Sequence, residues 1–378
     1  MKIGFVINFS KNDWLGGYNY YLHLINSLNK FAKKKFSPII IFDTYERSRS
    51  NKELAKFNFI VCNYFSSSSK YLRIFNKLLI IFFGKSFLYE AFLKKNNIKI
   101  ISHSFFVGKN SFAKSYPWFP DFQEYFYPNF FNKKKIILRK LNLYLATMHS
   151  EAIIVSSKST AKNLRKISLK SYNKAKILFH TNPIINSSSI RSENYIKKKY
   201  KIKKDFYLLP NQYWAHKNHI LVLKALKMIR SRTFQVISTG KKEDHRNPKH
   251  FNTLLEFVKK NKLELDYKFL GVVPENDFFS LINISLGVIN PSKFEGWGNS
   301  GAKAISLGRP AILSDIGPHR EFKEKAYFFN PENYQQLSKI LVTLSKKRKK
   351  KQNYKFLYKK NENLTKKFIQ NYIKIISS

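Results

Sequence analysis

The stretch from Val288 to Glu321, VINPSKFEGWGNSGAKAISLGRPAILSDIGPHRE, constrains what this chain can fold into more than any other. An apolar run, Ser285 to Ile289, leads into a turn holding Glu295, Gly296 and Gly298. Asn299 or Ser300 can then N-cap a helix through Leu307, which Gly308 stops. Arg309 and Pro310 lead into Ala311 to Leu313, a short apolar run consistent with a parallel strand, so the unit reads as a βαβ fragment. At the carboxyl end of such a strand, backbone N–H groups and the positive end of a helix dipole favour an anion, typically phosphate.

The same alternation recurs along the chain. Residues 3 to 9 predict a buried strand, followed by a loop, Ser10 to Leu15, and by Gly16-Gly17 opening a helix from about Tyr18 to Lys30. Tyr21, Leu24, Ile25 and Leu28 give that helix one buried face. Ser37 to Phe42, Phe57 to Cys62 and Ile98 to Ser102 predict further strands, and His103 ends the last of them. Trp118 to Phe131, WFPDFQEYFYPNFF, reads as an aromatic loop bounded by prolines. Leu138 to Ser150 has a helical pattern, Glu151 to Ser157 predicts a strand, Ser159 caps a helix from Thr160 to Ile167, and Ile177 to Phe179 closes a doubly wound domain. Thr181 to Lys204, without apolar period, reads as a linker and a charged helix. Strands at Asp205 to Leu209, Thr233 to Gly240, Asp266 to Leu270 and Ser285 to Ile289 then alternate with helices, giving a second such domain. A strand from Ala326 to Phe329, a helix from Pro331 to about Leu344, a basic run Lys346 to Lys351 and a helical stretch Tyr354 to Ile376 complete the chain.

Pro291-Ser292-x-x-Glu295-Gly296-Trp297-Gly298, with Ala304, Gly308, Pro310, Ser314-Asp315-Ile316 and His319-Arg320-Glu321, resembles the donor-binding segment of the family 4 glycosyltransferases. The resemblance implies a GT-B fold, α/β, with two doubly wound Rossmann-like domains facing across a cleft. The expected domains are residues 1–185, on the acceptor side; 186–353, binding the donor nucleotide; and a C-terminal helix, 354–378, returning to the first. It also implies a retaining transfer of a sugar from a nucleotide-diphosphate sugar to a glycan or lipid-linked acceptor in cell-surface polysaccharide assembly, with no cofactor and no metal. In that family pattern a first glutamate, here Glu295, positions the donor sugar, and a second, seven residues on, usually holds the ribose diol. The second position here is Lys303, which has no acceptor. Either the nucleotide grip differs, with Lys303 pairing a phosphate, or the enzyme is weakened or inactive.

Pro210 to His219 resembles the family again. Lys217 falls where a lysine commonly neutralises the donor diphosphate, and Gln212 stands where many members have arginine. Asn211, Gly296, Trp297, Gly298, Asn299 and Ser300 join the expected donor-binding set, as do Gly16 and Gly17, which match a paired glycine facing the diphosphate. Asp121 and Gln123 match a Pro-Asp-Phe-Gln segment of surface-polysaccharide relatives, and Asp121 is therefore placed with Glu295 among the catalytic candidates.

Charge bears on partners. The formal net charge is +47, from 70 Lys and Arg against 23 Asp and Glu, so a field of that sign recruits anionic membrane or nucleic acid unless it is compositional. Zinc-finger, homeodomain and RNP motifs are missing, which disfavours nucleic acid. No run approaches the ~18 apolar residues of a spanning helix. The stretch Lys70 to Lys94 reads either as a basic amphipathic helix for a membrane surface or as a core helix. A single cysteine, Cys62, excludes an intrachain disulfide framework and fits a reducing compartment, and MKIGFVINFS reads as a strand, so the expected location is the cytoplasm, with the inner face of the plasma membrane as a peripheral site. A sugar-nucleotide epimerase on the same fold needs clustered acid/base groups that the sparse carboxylates do not supply; a non-catalytic homologue is the reading that Lys303 motivates.

Overall fold

The structure, a computed structural model, describes residues 1–11, 13–65, 69–104, 106–181, 190–244, 246–347 and 352–377. Asn12 of the expected first loop, 182–189 of the expected linker and 348–351 of the basic run lie outside the described residues. The chain divides into two compact units, Met1–Thr181 with Leu364–Ser378, and Asn182–Asn363.

In the first unit the order is β1 (Lys2–Ile7), α1 (Leu15–Ala32), β2 (Ser37–Phe42), α2 (Tyr45–Ser50), β3 (Phe59–Val61), α3 (Lys70–Phe83), α4 (Phe87–Lys95) and β4 (Ile98–His103). Then come β5 (Lys114–Phe119), α5 (Gln123–Phe126), α6 (Lys133–His149), β6 (Ile153–Val155), α7 (Lys158–Ile167), α8 (Leu169–Asn173) and β7 (Ala175–Ile177). The seven strands form one parallel sheet in the order β3-β2-β1-β4-β5-β6-β7. Alternate residues of β1 feed opposite cores. Phe5 and Ile7 pack with Tyr21, Leu24 and Leu28 of α1 and with Phe368 and Tyr372, whereas Val6 packs with Ile80, Leu93 and Leu145 on the other face.

Three local expectations are corrected. Trp118 and Phe119 belong to strand β5, not to a loop; Pro117 is tolerated because pairing with β6 begins only at Trp118. The cap of α7 is Ser157, whose Oγ accepts the Thr160 N–H at 2.9 Å, so Ser159 lies inside the helix. Gly16 and Gly17 sit in the first turn of α1 instead of preceding it. A Cβ on Gly17 would come within 2.3 Å of the Trp14 ring, which explains the glycine there by close packing.

The second unit repeats the plan with α9 (Glu193–Lys199), β8 (Asp205–Leu209), α10 (His219–Met228), β9 (Phe234–Thr239), α11 (His250–Lys260), β10 (Tyr267–Gly271), α12 (Glu275–Ile284) and β11 (Gly287–Asn290). It continues with α13 (Asn299–Ser306), β12 (Ala311–Ser314), β13 (Ala326–Phe329), α14 (Tyr334–Ser345) and the start of α15 (Tyr354–Ser377). Its parallel sheet has the order β10-β9-β8-β11-β12-β13. Successive strands run outward from β8 as far as β10, then cross back to β11 on the other side of β8. In an open parallel sheet, that reversal leaves a crevice beyond the carboxyl ends of the two strands, where ligands bind.

Candidate active site of the second unit

The chain leaves β8 at Asn211 and β11 at Asn290, and these two buried side chains meet across the reversal, Asn211 Nδ2 donating to Asn290 Oδ1 at 3.0 Å. Polar residues end otherwise apolar strands here because each satisfies the other. Beyond them, Ser292 Oγ lies 2.7 Å from both Asn290 Oδ1 and Glu295 Oε1, its one proton shared between two acceptors. The first loop is held by Asn218, in the left-handed region at φ 57°, whose Nδ2 donates to the carbonyls of Pro291 and Pro331. That turn delivers Lys217.

Lys217 Nζ reaches Glu295 Oε1 at 2.7 Å, with both side chains only 14% and 13% exposed. Asn290 Nδ2 donates to the same oxygen at 3.3 Å. The three protein donors thus converge on Oε1, and no described residue bonds Oε2. Burial alone would raise the Glu295 pKa, but the Lys217 charge and the Lys217 and Ser292 hydrogen bonds hold it down at about 2. The carboxylate is ionised at neutral pH and keeps one oxygen for a ligand hydroxyl.

The loop then enters α13 through Gly298, which caps the helix at φ +99° without a side-chain bond. Asn299 and Ser300, expected as caps, fall inside the first turn. Their amides and that of Gly301 precede the first helical hydrogen bond, from Ala302 N–H to Gly298, so the helix start presents donors to an anion. Ser300 Oγ is buried and has no partner among the described residues. His319 is fully buried, and its Nδ1–H donates to the Ser314 carbonyl at 2.9 Å. Burial lowers the His319 pKa, Glu295 opposing, so the ring is neutral and Nε2 is an acceptor. Nε2 likewise has no partner among the described residues. Two buried polar atoms without partners on the two segments that flank Gly298 are what a site built for a polar ligand leaves behind.

Gly298 is where backbone freedom is required. A Cβ would stand 2.6 Å from His319 Cδ2 in a conformation that L residues rarely adopt. Gly298→Ala therefore lowers stability by about 1–3 kcal/mol and displaces His319, read as a lower urea midpoint together with a weakened ligand-induced thermal shift.

The remaining expected residues fall as follows. Gly296 and Trp297 line the loop between Glu295 and the helix, with the Trp297 ring edge-to-face on Phe322 at 5.0 Å. Lys303, one turn into α13, turns its ammonium over Phe278 and Phe279 of α12, at 4.9 and 5.6 Å from the ring centroids; burial lowers its pKa. Asp121, Gly16 and Gly17 lie in the first unit, where Asp121 Oδ1 accepts the Gln123 N–H at 3.2 Å. His216 is buried, and burial and Lys217 hold its pKa at about 2; its carbonyl accepts the Lys293 N–H at 2.8 Å. Among the described residues no three His, Cys, Asp or Glu side chains come together as a metal site. Asn290 and Asn218 were not singled out from sequence, and His319 stood there as a motif residue without a role. An asparagine closing a buried strand was the available signal for the first.

Residues 192–360 match the family model described as "Glycosyl transferases group 1". No curated protein matches the chain in sequence. Among solved structures, the chain is similar to Anabaena HepE in complex with UDP and glucose, at 15% identity and a TM-score of 0.69, covering 100% of this chain and 97% of that one. A glycosyltransferase from Rickettsia africae gives 16% identity and a TM-score of 0.64, covering 98% and 93%. The lipopolysaccharide outer core galactosyltransferase WaaB, in its apo form, gives 13% identity and a TM-score of 0.64, covering 100% and 99%. With two parallel doubly wound sheets and these structural likenesses, the chain has the GT-B fold, and its second unit matches the model of the group 1 glycosyl transferases over residues 192–360.

Proposed function

We propose that the chain is a retaining, family 4 glycosyltransferase that moves a sugar from a nucleotide-diphosphate sugar to a glycan or lipid-linked acceptor, without metal, in the cytoplasmic assembly of a cell-surface polysaccharide. The observation that carries it is the Lys217–Glu295 pair at the reversal point of the sheet, with Oε2 left over and the start of α13 beside it in the chain. In this reading Oε2 accepts a hydroxyl of the donor sugar. Lys217 and the first amides of α13 take up the charge that develops on the departing nucleoside diphosphate. Asn211 and Asn290 fix the two loops, while Asp121, Gly16 and Gly17 of the first unit act in the same reaction. The occupancy of HepE by UDP and glucose supports a nucleotide-sugar donor.

A thermal-shift panel of nucleoside diphosphates and nucleotide sugars tests this. A ligand at a hundred times its Kd adds about 2.7 kcal/mol to the native state, so one member should raise the midpoint clearly and should release its nucleoside diphosphate when an acceptor is supplied. If no nucleotide stabilises the chain while duplex DNA does, in a salt-dependent way, the proposal is wrong. Lys303 favours a second reading, a homologue that binds a nucleotide sugar without transferring it. Binding in the panel without turnover on any acceptor would select it.

A further inference from the structure

Helix α3 is built the wrong way round for a helix bathed in water. Tyr71, Ile74, Phe75, Leu78, Ile81 and Phe82 recur at helical spacing on one stripe, and all six are exposed, Tyr71 by 89% and Phe82 by 76%. The opposite face is anchored by Ile80 and by Asn76, which is buried and bonds the Leu72 carbonyl and Ser86 Oγ. Phe83 and Phe87 extend the exposed stripe toward α4. Helix α6 repeats the arrangement with Ile137, Leu138, Leu141 and Tyr144. Ile80 of α3 and Leu145 and Ala146 of α6 share one core cluster, so both helices cover the same face of the first unit's sheet. Isolated exposed leucines need no explanation, but two apolar stripes on one face do.

The charge around them selects the occupant. The segment Lys70–Lys95 carries six Lys and Arg and one carboxylate, Glu90; α6 carries five Lys and Arg and no carboxylate. Glu90 is buried and already accepts from the Phe112 N–H and Ser111, so these helices expose no negative charge. Pairing this face with a second copy would set like charges against each other, whereas an anionic surface with an apolar interior complements both features. At 14 residues, α3 is roughly 21 Å long, too short to cross a bilayer, and no described helix is long and apolar enough to do so. We propose that α3 and α6 form a docking face by which the first unit lies on an anionic lipid bilayer, with the aromatic and aliphatic stripe in the headgroup boundary and the lysines on the phosphates. The inference stands apart from the reaction assigned to the second unit.

Flotation of the whole chain with vesicles tests it. The chain should float with vesicles of equal parts phosphatidylglycerol and phosphatidylcholine and much less with phosphatidylcholine alone. Ile74→Ser/Phe75→Ser/Phe82→Ser should reduce partition by about tenfold or more, and Lys133→Glu/Lys134→Glu should reduce it on anionic vesicles selectively. All these side chains are exposed, and the unfolding midpoint of each variant should match that of the unaltered chain. Three results would each overturn the proposal: equal flotation with both vesicle types, undiminished flotation of the triple variant, or a solution dimer that the triple variant abolishes while neither protein floats.

Discussion

Glu295→Ala should lower the transfer rate by about a hundred- to a thousandfold while leaving the chain folded. The side chain is ionised at neutral pH, one oxygen is fully engaged by Lys217, Ser292 and Asn290, and the other bonds none of the described residues. A fixed anion of this kind orients a hydroxyl by a charge-assisted bond, and loss of one preorganised electrostatic contact in a closed site costs about 3–4 kcal/mol of barrier. The chain stays folded at a cost of about 2–4 kcal/mol, because Lys217, at 14% exposure, loses its counter-ion while Ser292 Oγ keeps Asn290 Oδ1 as an acceptor at 2.7 Å. Glu295→Gln separates charge from shape. It retains an acceptor oxygen for Lys217 and should still lose most of the rate. The measurement is kcat for nucleoside diphosphate release, with the urea midpoint as control. A rate within about threefold of the unaltered chain would remove Glu295 from the reaction.

Much of the architecture was legible because both sheets are parallel and covered on both faces, so each strand is a short apolar block set off by turn residues. Asp205–Leu209 and Ala326–Phe329 are strands over the ranges the sequence predicts. Strand β5 was hidden by Pro117, a residue that argues against a strand unless, as here, the lateral pairing starts beyond it. The starts of α1 and α13 were read late, by three residues and by one or two, because no Ser, Thr or Asn caps them. At α13 the cap is a glycine in the left-handed region, and at α1 it is Trp14, which makes no side-chain capping bond.

The site was half legible. Glu295, Gly298 and Lys217 come from motifs whose spacing survives in the chain. That Lys217 and Glu295, 78 residues apart, would share one oxygen with Ser292 and Asn290 is a property of the strand order, which periodicity does not reveal. Lys303 illustrates the converse. Its place in the motif suggested a phosphate partner, yet the local packing of α12 offers it two aromatic faces, a contact that depends on where Phe278 and Phe279 land.

Lys217→Met tests the electrostatics of the pair directly and is read in stability. Methionine keeps most of the volume and removes the charge, leaving a carboxylate at 13% exposure without its counter-ion; the cost expected near pH 7 is about 2–4 kcal/mol. The pH dependence fixes the cause. In the unaltered chain the Glu295 pKa is depressed to about 2, so the pair's contribution is fully present above the ordinary glutamate value and fades only as pH falls toward 2. In the variant the Ser292 and Asn290 hydrogen bonds to Glu295 remain, but His319 and His216 are kept neutral by burial, so desolvation, the largest influence on this carboxyl, is opposed by no full charge and lifts it above its ordinary value. Protons then favour the variant's folded state as pH falls through that raised value, and the gap between the two proteins narrows. Urea unfolding of both at about pH 7 and about pH 5 measures it. A gap that stays constant across that range would mean the loss comes from packing of the lysine stem, and the ion pair would not be what holds the two loops at the reversal of the sheet.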